Sequence, residues 1–383
     1  MAAFERCRAD MRDDLQVHKI PGAIIATGAK YRKFAVYDAH GALVPESKTL
    51  RHKVLQYIDQ MDAADIPAAD TVDDDVIFTG LDMRWHFGHF LVEGLNRLWP
   101  LVMPKYNKCK IVFPYNQNGG HDFVRQLLGL VGVSDDRIMI IDKPTRFRNV
   151  YVPDQSFRIK SWGSRANANM YRHMAASVRP AGFERVYVSR EKMGARRTIG
   201  EEKIRRIFAR NGFHVAYPET MSVADQVALM ANCRVLAGCA GTALHLSAFM
   251  SAGGTVIMLK RNSMSDDAVN TQIALDIECG HKTAMVAASV ERRPSDHWSR
   301  IPQIIGVNEY VREFFDAAGF AYDAQDLARD AVAWRQYRRA MWCWRWYRCG
   351  QLAAKYMVCV LPTRRMRHLA RKRIQKMLHV DSL

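Results

Sequence analysis

From Arg185 onward the chain repeats one unit three times. RVYVSR is a short apolar strand and EEKIRRIFARNGF a helix; HVAYP is followed by SVADQVALMANC, and RVLAG by ALHLSAFMSAG, before TVIMLK closes the run as a fourth strand. Successive strand-helix units of this length admit few arrangements. The strands must lie parallel, joined by right-handed crossovers, with helices covering both faces of the sheet.

The first half alternates less regularly. GAIIATG, FAVYDA, DDVIFTG, CKIVFPY, RIMIID and NVYVP read as strands, while FGHFLVEGLNRLWPLV and HDFVRQLLGLVGV carry apolar residues at helical spacing. The stretch SWGSRANANMYRHMAASVRPAGF reads as a polar and helical connection. At 383 residues, the chain is expected to hold two α/β halves, residues 1–165 and 166–300. A helix over 301–333 should return toward the N-terminal half, and 334–383 form a tail.

The net charge of +17 is concentrated in that tail. Thirteen Lys or Arg and no acid lie between Trp334 and His379, leaving about +4 for the rest, so nucleic acid is not an expected partner of the body. Trp334, Trp342, Trp344 and Trp346 are interleaved with the arginines. Beyond Pro362, Met366, Leu369, Ile374 and Met377 form a stripe opposite Arg364, Arg371 and Lys372, and this pattern suits an anionic membrane surface. Packing of the tryptophans on the N-terminal half is the alternative. MAAFERCRADMRDDLQVHK has no apolar core of the signal-peptide kind, no stretch would span a bilayer, and eight cysteines show no CxxC pair. A cytoplasmic protein at the inner face of the membrane is expected.

The joint RVLAGCAGTALHLSAF is the first candidate site. Beyond the carboxyl end of a parallel strand, a helix N-terminus offers unpaired N–H groups and partial positive charge. Gly238 and Gly241 clear side chains from the turn, Thr242 can cap a helix beginning at Ala243, and His245 can donate to a phosphate or ribose oxygen. SREKMGARRTIGEE places Arg190, Arg196 and Arg197 at a neighbouring strand end, where guanidinium groups can grip a diphosphate. Close helix packing in the first case and a solvated charged loop in the second are the structural alternatives.

On these residues, in this order, the chain resembles the C-terminal half of bacterial members of glycosyltransferase family 61: SR, RRTIGEE, GF, then YPETMSVADQVALMANCRVLAGCAGTALHLSAF. The likeness extends more weakly to HFGHFLVEGLNRLWPL. Gly200 stands where the family commonly has Asn, and Asp225 where Glu is usual. The resemblance implies two Rossmann-like domains facing a cleft, the glycosyltransferase B architecture, and inverting transfer from a nucleotide-sugar donor. The acceptor would be a glycan or lipid-linked hydroxyl in capsule-type surface polysaccharide synthesis. It also implies that Arg190 and Arg197 meet the diphosphate, Glu201 orients them or the ribose, and Gly241, Thr242 and His245 close around the nucleotide. Glu219 and Gln226 line the same pocket or cap helices.

Inverting transfer needs a base. His86, His89 and Glu93 fall on one helical face, with Asn96 and Arg97 a turn further on the acceptor side. By the resemblance Glu93 is the expected base, oriented with the acceptor by His89; His89 is the second choice, because an imidazole titrates near working pH. The same three residues could instead hold zinc in a metal-dependent hydrolase, although HExxH is missing. Asp73, Asp74 and Asp75 precede the strand VIFTG and are expected in a solvated turn, so no cofactor or obligatory metal is expected. A non-enzymatic nucleotide- or nucleic-acid-binding protein with a basic tail is the remaining alternative.

Overall fold

In the computed structural model, residues 10–27, 30–31, 33–51, 55–81, 86–116, 122–194, 198–261, 266–291, 301–359, 362–363, 366 and 370 are described. Nine strands come from the first half: β1 (Asp10–Met11), β2 (Val17–Pro21), β3 (Ile24–Ala26), β4 (Ala35–Tyr37), β5 (Asp70–Phe78), β6 (Lys110–Pro114), β7 (Ile138–Ile141), β8 (Thr145–Pro153) and β9 (Trp162–Gly163). Seven of them form one sheet in the order β4-β3-β8-β5-β6-β7, with β2 also on β8. β5 runs parallel to β6 and β8, and β6 to β7, whereas β2 and β3 are antiparallel to β8. Val76, Ile77 and Phe78 and their neighbours Ile111, Val112 and Phe113 are wholly buried, which is why these strands read as unbroken apolar runs.

The second sheet is the one the repeat demands. β10 (Arg185–Val188), β11 (His214–Ala216), β12 (Val235–Cys239), β13 (Thr255–Lys260) and β14 (Lys282–Ala287) pair in parallel in the order β11-β10-β12-β13-β14. Its two faces separate residue by residue. Tyr187, Ala237, Cys239, Ile257 and Leu259 pack with Ile204 and Phe208 of the helix Glu201–Arg210. Val186, Val188, Leu236, Val256 and Met258 face the other way, into a core that also takes in Ile77, Phe113 and Tyr151 of the first sheet. The two halves therefore share buried apolar surface.

The polar, helical connection contains the helix Arg165–Ala176, capped by the Ser164 side chain, which accepts from Asn167 N. It buries Ala168, Met170, Tyr171 and Met174 in the shared core. Glu278 of the helix Asp266–Cys279 accepts from Ser164 N (3.0 Å) and Asn167 Nδ2 (2.7 Å), and burial drives its pKa well above the carboxylate range. A Cβ on Gly163 would lie 2.2 Å from Glu278 Oε2, so that approach needs glycine.

Three expectations change. Asp73, Asp74 and Asp75 lie inside β5, bonded to Arg148 and Lys110, because the strand begins at Asp70. The helix Glu309–Ala317 stays on the C-terminal sheet, where Val311 and Phe315 join Phe208, and does not return to the N-terminal half. The helix Ala331–Cys359 likewise packs Ala333, Tyr337 and Met341 against Ile199 and Ile304. Of the stripe beyond Pro362, only Met366 falls among the described residues.

Candidate active site

The order of the second sheet reverses beside β10: β11 lies on one side of it and β12 on the other. Ligands of open parallel sheets bind at such a reversal, beyond the carboxyl ends. Arg190 stands two residues past β10, Gly241 two past β12, and Arg261 directly after β13. The two arginines converge over the glycine. A Cβ on Gly241 would lie 2.8 Å from Arg190 Nη1 and 3.6 Å from Arg261 Nη2.

Both residues are buried, Arg190 6% and Arg261 7% exposed. Arg261 Nε donates to Ala240 O (2.7 Å), and its pKa is lowered to about 10, chiefly by burial and then by the Arg190 charge. Arg190 Nε meets no acceptor among the described residues. Behind them Glu201 accepts from Arg190 N (3.1 Å) and from the Tyr187 hydroxyl (3.2 Å); burial raises its pKa to about 7. Among the described residues this one half-neutralised carboxylate backs two buried cations, an arrangement suited to an anionic ligand. Gly200, ahead of Glu201, has φ +83°, and a Cβ there would meet Ile305 O at 2.2 Å. Asn can adopt that φ, but only glycine fits this approach.

Gly241 is followed by a tight helix of three residues per turn, Thr242–Phe249, with no side-chain cap, so Thr242 opens the helix instead of capping it. His245 Nδ1 lies 2.7 Å from Gln272 Oε1. The Gln272 amide nitrogen donates to Leu244 O, Ser247 Oγ and Asp276 Oδ1, which fixes its oxygen toward His245. His245 Nδ1 is therefore the donor. Burial, with smaller contributions from His89 and His86, lowers the His245 pKa to about 4 despite that bond. The ring is neutral near pH 7, and Nε2 can only accept a proton or hydrogen bond, as from a sugar hydroxyl; the expected donation to phosphate is not available to it.

Across from this turn, His86 caps the short helix Phe87–His89, which runs into a wide turn over Phe90–Gly94. Glu93, 3% exposed, is fully engaged. Arg51 Nε reaches its Oε1 and Arg51 Nη2 its Oε2, each at 2.6 Å, and His89 Nδ1 lies 2.6 Å from Oε2. Burial works against ionisation, yet the His89 hydrogen bond and the Arg51 charge outweigh it and hold the Glu93 pKa below its ordinary range. Such a carboxylate is a weak base. His89 meets Glu93 through Nδ1, and its side chain is 47% exposed. The two sides meet at Gly88, where a Cβ would lie 2.3 Å from Thr242 Cγ2 and 3.3 Å from His245 Cδ2.

The family model for glycosyltransferase 61 matches residues 87–258. Over that stretch the chain is similar to the glycosyltransferases of family 61. Among curated proteins none matches it. The matched stretch runs from the helix bearing His89 and the wide turn bearing Glu93 through the Arg190, Glu201 and Thr242–His245 turns to β13.

Other expected site residues lie elsewhere. Asn96 is buried, and its Nδ2 donates to Phe157 O (3.2 Å). Arg97, 1% exposed, donates to the carbonyls of Pro153, Glu46 and Lys48, and burial lowers its pKa to about 10. Both point inward because the wide turn at Phe90–Gly94 breaks the helical register and Pro100 prevents its return. Gln226 donates to Pro218 O and Met221 O, which is the capping alternative, and Glu219 is exposed after the edge strand β11. Arg196 and Arg197 fall outside the described residues. Among the described residues no group of three His, Cys, Asp or Glu is placed to hold a metal ion. Glu93 is taken up by both His89 and Arg51, which disfavours the zinc hydrolase. Arg51, Arg261 and Gln272 were missed; only Arg261 carried a signal, an arginine ending a parallel strand.

Proposed function

We propose that this glycosyltransferase inverts the anomeric centre as it moves a sugar from a nucleoside-diphosphate donor to a hydroxyl of a glycan or lipid-linked acceptor in bacterial surface polysaccharide synthesis. The observation that carries this reading is the meeting of His89 and the Arg190–Gly241–Arg261 turn through Gly88 and Thr242. In a glycosyltransferase B arrangement the second half binds the donor and the first half supplies the base.

The roles expected of Glu93 and His89 are exchanged in this reading. His89 Nε2 takes the proton of the acceptor hydroxyl as its oxygen bonds to the anomeric carbon. The bond from that carbon to the donor phosphate breaks, and the leaving diphosphate keeps the electron pair. Glu93 holds the Nδ1 proton in place and stabilises the imidazolium, while Arg51 fixes Glu93. Arg190 and Arg261 receive the charge that develops on the leaving group, and His245 Nε2 accepts from a donor hydroxyl. Arg197, which follows the same strand in sequence, is assigned to the donor by the family resemblance. The basic, tryptophan-bearing C-terminal helix supports a place at the inner face of the membrane, near a lipid-linked acceptor.

The test begins with thermal unfolding against UDP, GDP, ADP, TDP and CMP, and continues with the sugar conjugate of whichever diphosphate binds. His89→Ala should abolish transfer and leave the nucleotide shift intact, and the product should have the anomeric configuration opposite to the donor. Full turnover in His89→Ala would remove it as base, and a retained configuration would remove the single-displacement mechanism.

A further inference from the structure

The helix Ala331–Cys359 has two unlike faces. Ala333, Tyr337, Met341, Ala354 and Val358 are buried. At about 100° per residue, they all lie about 100° or more around the axis from Trp342. Within about 60° of Trp342 fall Arg338, Arg339, Arg345, Trp346, Tyr356 and Met357. These form an exposed line. Trp342 and Trp346 are each 63% exposed, Tyr356 72% and Met357 62%, a large apolar area to leave in water. The whole helix carries six Lys or Arg and no acid.

We infer that this outward face seats the protein on an anionic bilayer surface. The cations cluster toward the N-terminal part of the face and the apolar groups toward its end, so guanidinium groups can meet lipid phosphates while the rings enter the headgroup layer. A bilayer accepts a convex helix. Single-stranded nucleic acid favours a basic groove with rings presented as stacking platforms, whereas Trp342 and Trp346 stand edge to face at 69° on a convex surface. The helix is too polar to span, consistent with no described helix being long and apolar enough to cross a membrane. Its buried face packs on Ile199 and Ile304, close in sequence to Glu201, so the docked helix would hold the donor half at a fixed height over the lipid.

This deepens the membrane-side part of the proposed function and is tested apart from transfer. The full chain is floated with phosphatidylglycerol vesicles and with phosphatidylcholine vesicles, alongside Trp342→Ala/Trp346→Ala and Arg338→Gln/Arg339→Gln/Arg345→Gln variants whose melting temperature and nucleotide shift are unchanged. Binding to the anionic vesicles only is expected. The tryptophan pair should weaken it at least tenfold, and each removed arginine about fivefold at low salt. Failure to float, or variants that float like the parent chain and so assign docking to another segment, would overturn the inference. So would a single-stranded oligonucleotide that binds the same face more tightly than the vesicles do.

Discussion

Arg261→Met is expected to make the ligand-free protein more stable while removing its response to nucleotide. Burial, and then the neighbouring Arg190 charge, lowers the pKa of Arg261 from the ordinary arginine value to about 10. That gap of about 2.5 pH units corresponds to about 3 kcal/mol of disfavoured charge. The sign follows from linkage. A cation whose folded pKa is depressed is charged in both states at pH 7, so the full cost stands there and is relieved only as pH rises through the folded value. Methionine removes the cost and loses the bond to Ala240 O, which contributes about 1 kcal/mol. The net gain of about 2 kcal/mol raises Tm by a few degrees. A diphosphate at about a hundred times its Kd adds roughly 2.7 kcal/mol to the parent chain. Losing one charge-assisted guanidinium contact weakens binding by about 100-fold and leaves about 0.4 kcal/mol at the same concentration. Differential scanning calorimetry with and without nucleotide reads both numbers. An Arg261→Met protein that melts lower without ligand, or keeps the full nucleotide shift, would refute the view that Arg190 and Arg261 form an anion site.

Gly88→Ala inserts a Cβ 2.3 Å from Thr242 Cγ2, which must open by about 1.5 Å to reach ordinary contact. Transfer should fall about 100-fold with nucleotide binding preserved, and adding Thr242→Gly should recover at least tenfold; no recovery would mean the contact is not what matters. Arg51→Met removes the cation that weakens Glu93, so the acid limb of the pH-rate profile should move to higher pH by about one unit, whereas an unmoved profile would leave Arg51 a purely structural role. Asp276 is buried with donors from Ser247, Gln272 and Thr283, and burial raises its pKa to about 7 from 3.8. An acid raised in the folded state contributes most below its unfolded pKa and loses that contribution as pH climbs to the folded value. Asp276→Asn should therefore gain on the parent chain by up to about 4 kcal/mol between pH 4 and pH 7.5. A pH-independent difference in denaturant unfolding would show that Asp276 ionises freely.

What could be read ahead was set by period and by position along single strands. The alternation that sends Val186 and Val188 to one face and Tyr187 to the other is a local property, as is the placement of Arg190 and Gly241 past strand ends. The legible part of the site is therefore the part that the crossover geometry makes unavoidable. What stayed hidden depends on contacts between segments far apart in sequence. Nothing near Arg51 announces Glu93, forty-two residues away, and yet that pair decides which member of the His89–Glu93 couple is free to act as base. Gln272 decides the tautomer of His245 from a helix two elements on. The error at Asn96 and Arg97 came from carrying an even helical period through Phe90–Gly94, where one wide turn rotates everything after it into the core. A polar stripe in sequence is thus a hypothesis about register. Its members share a surface only as far as the turns between them are regular, and here the stripe ends at Glu93.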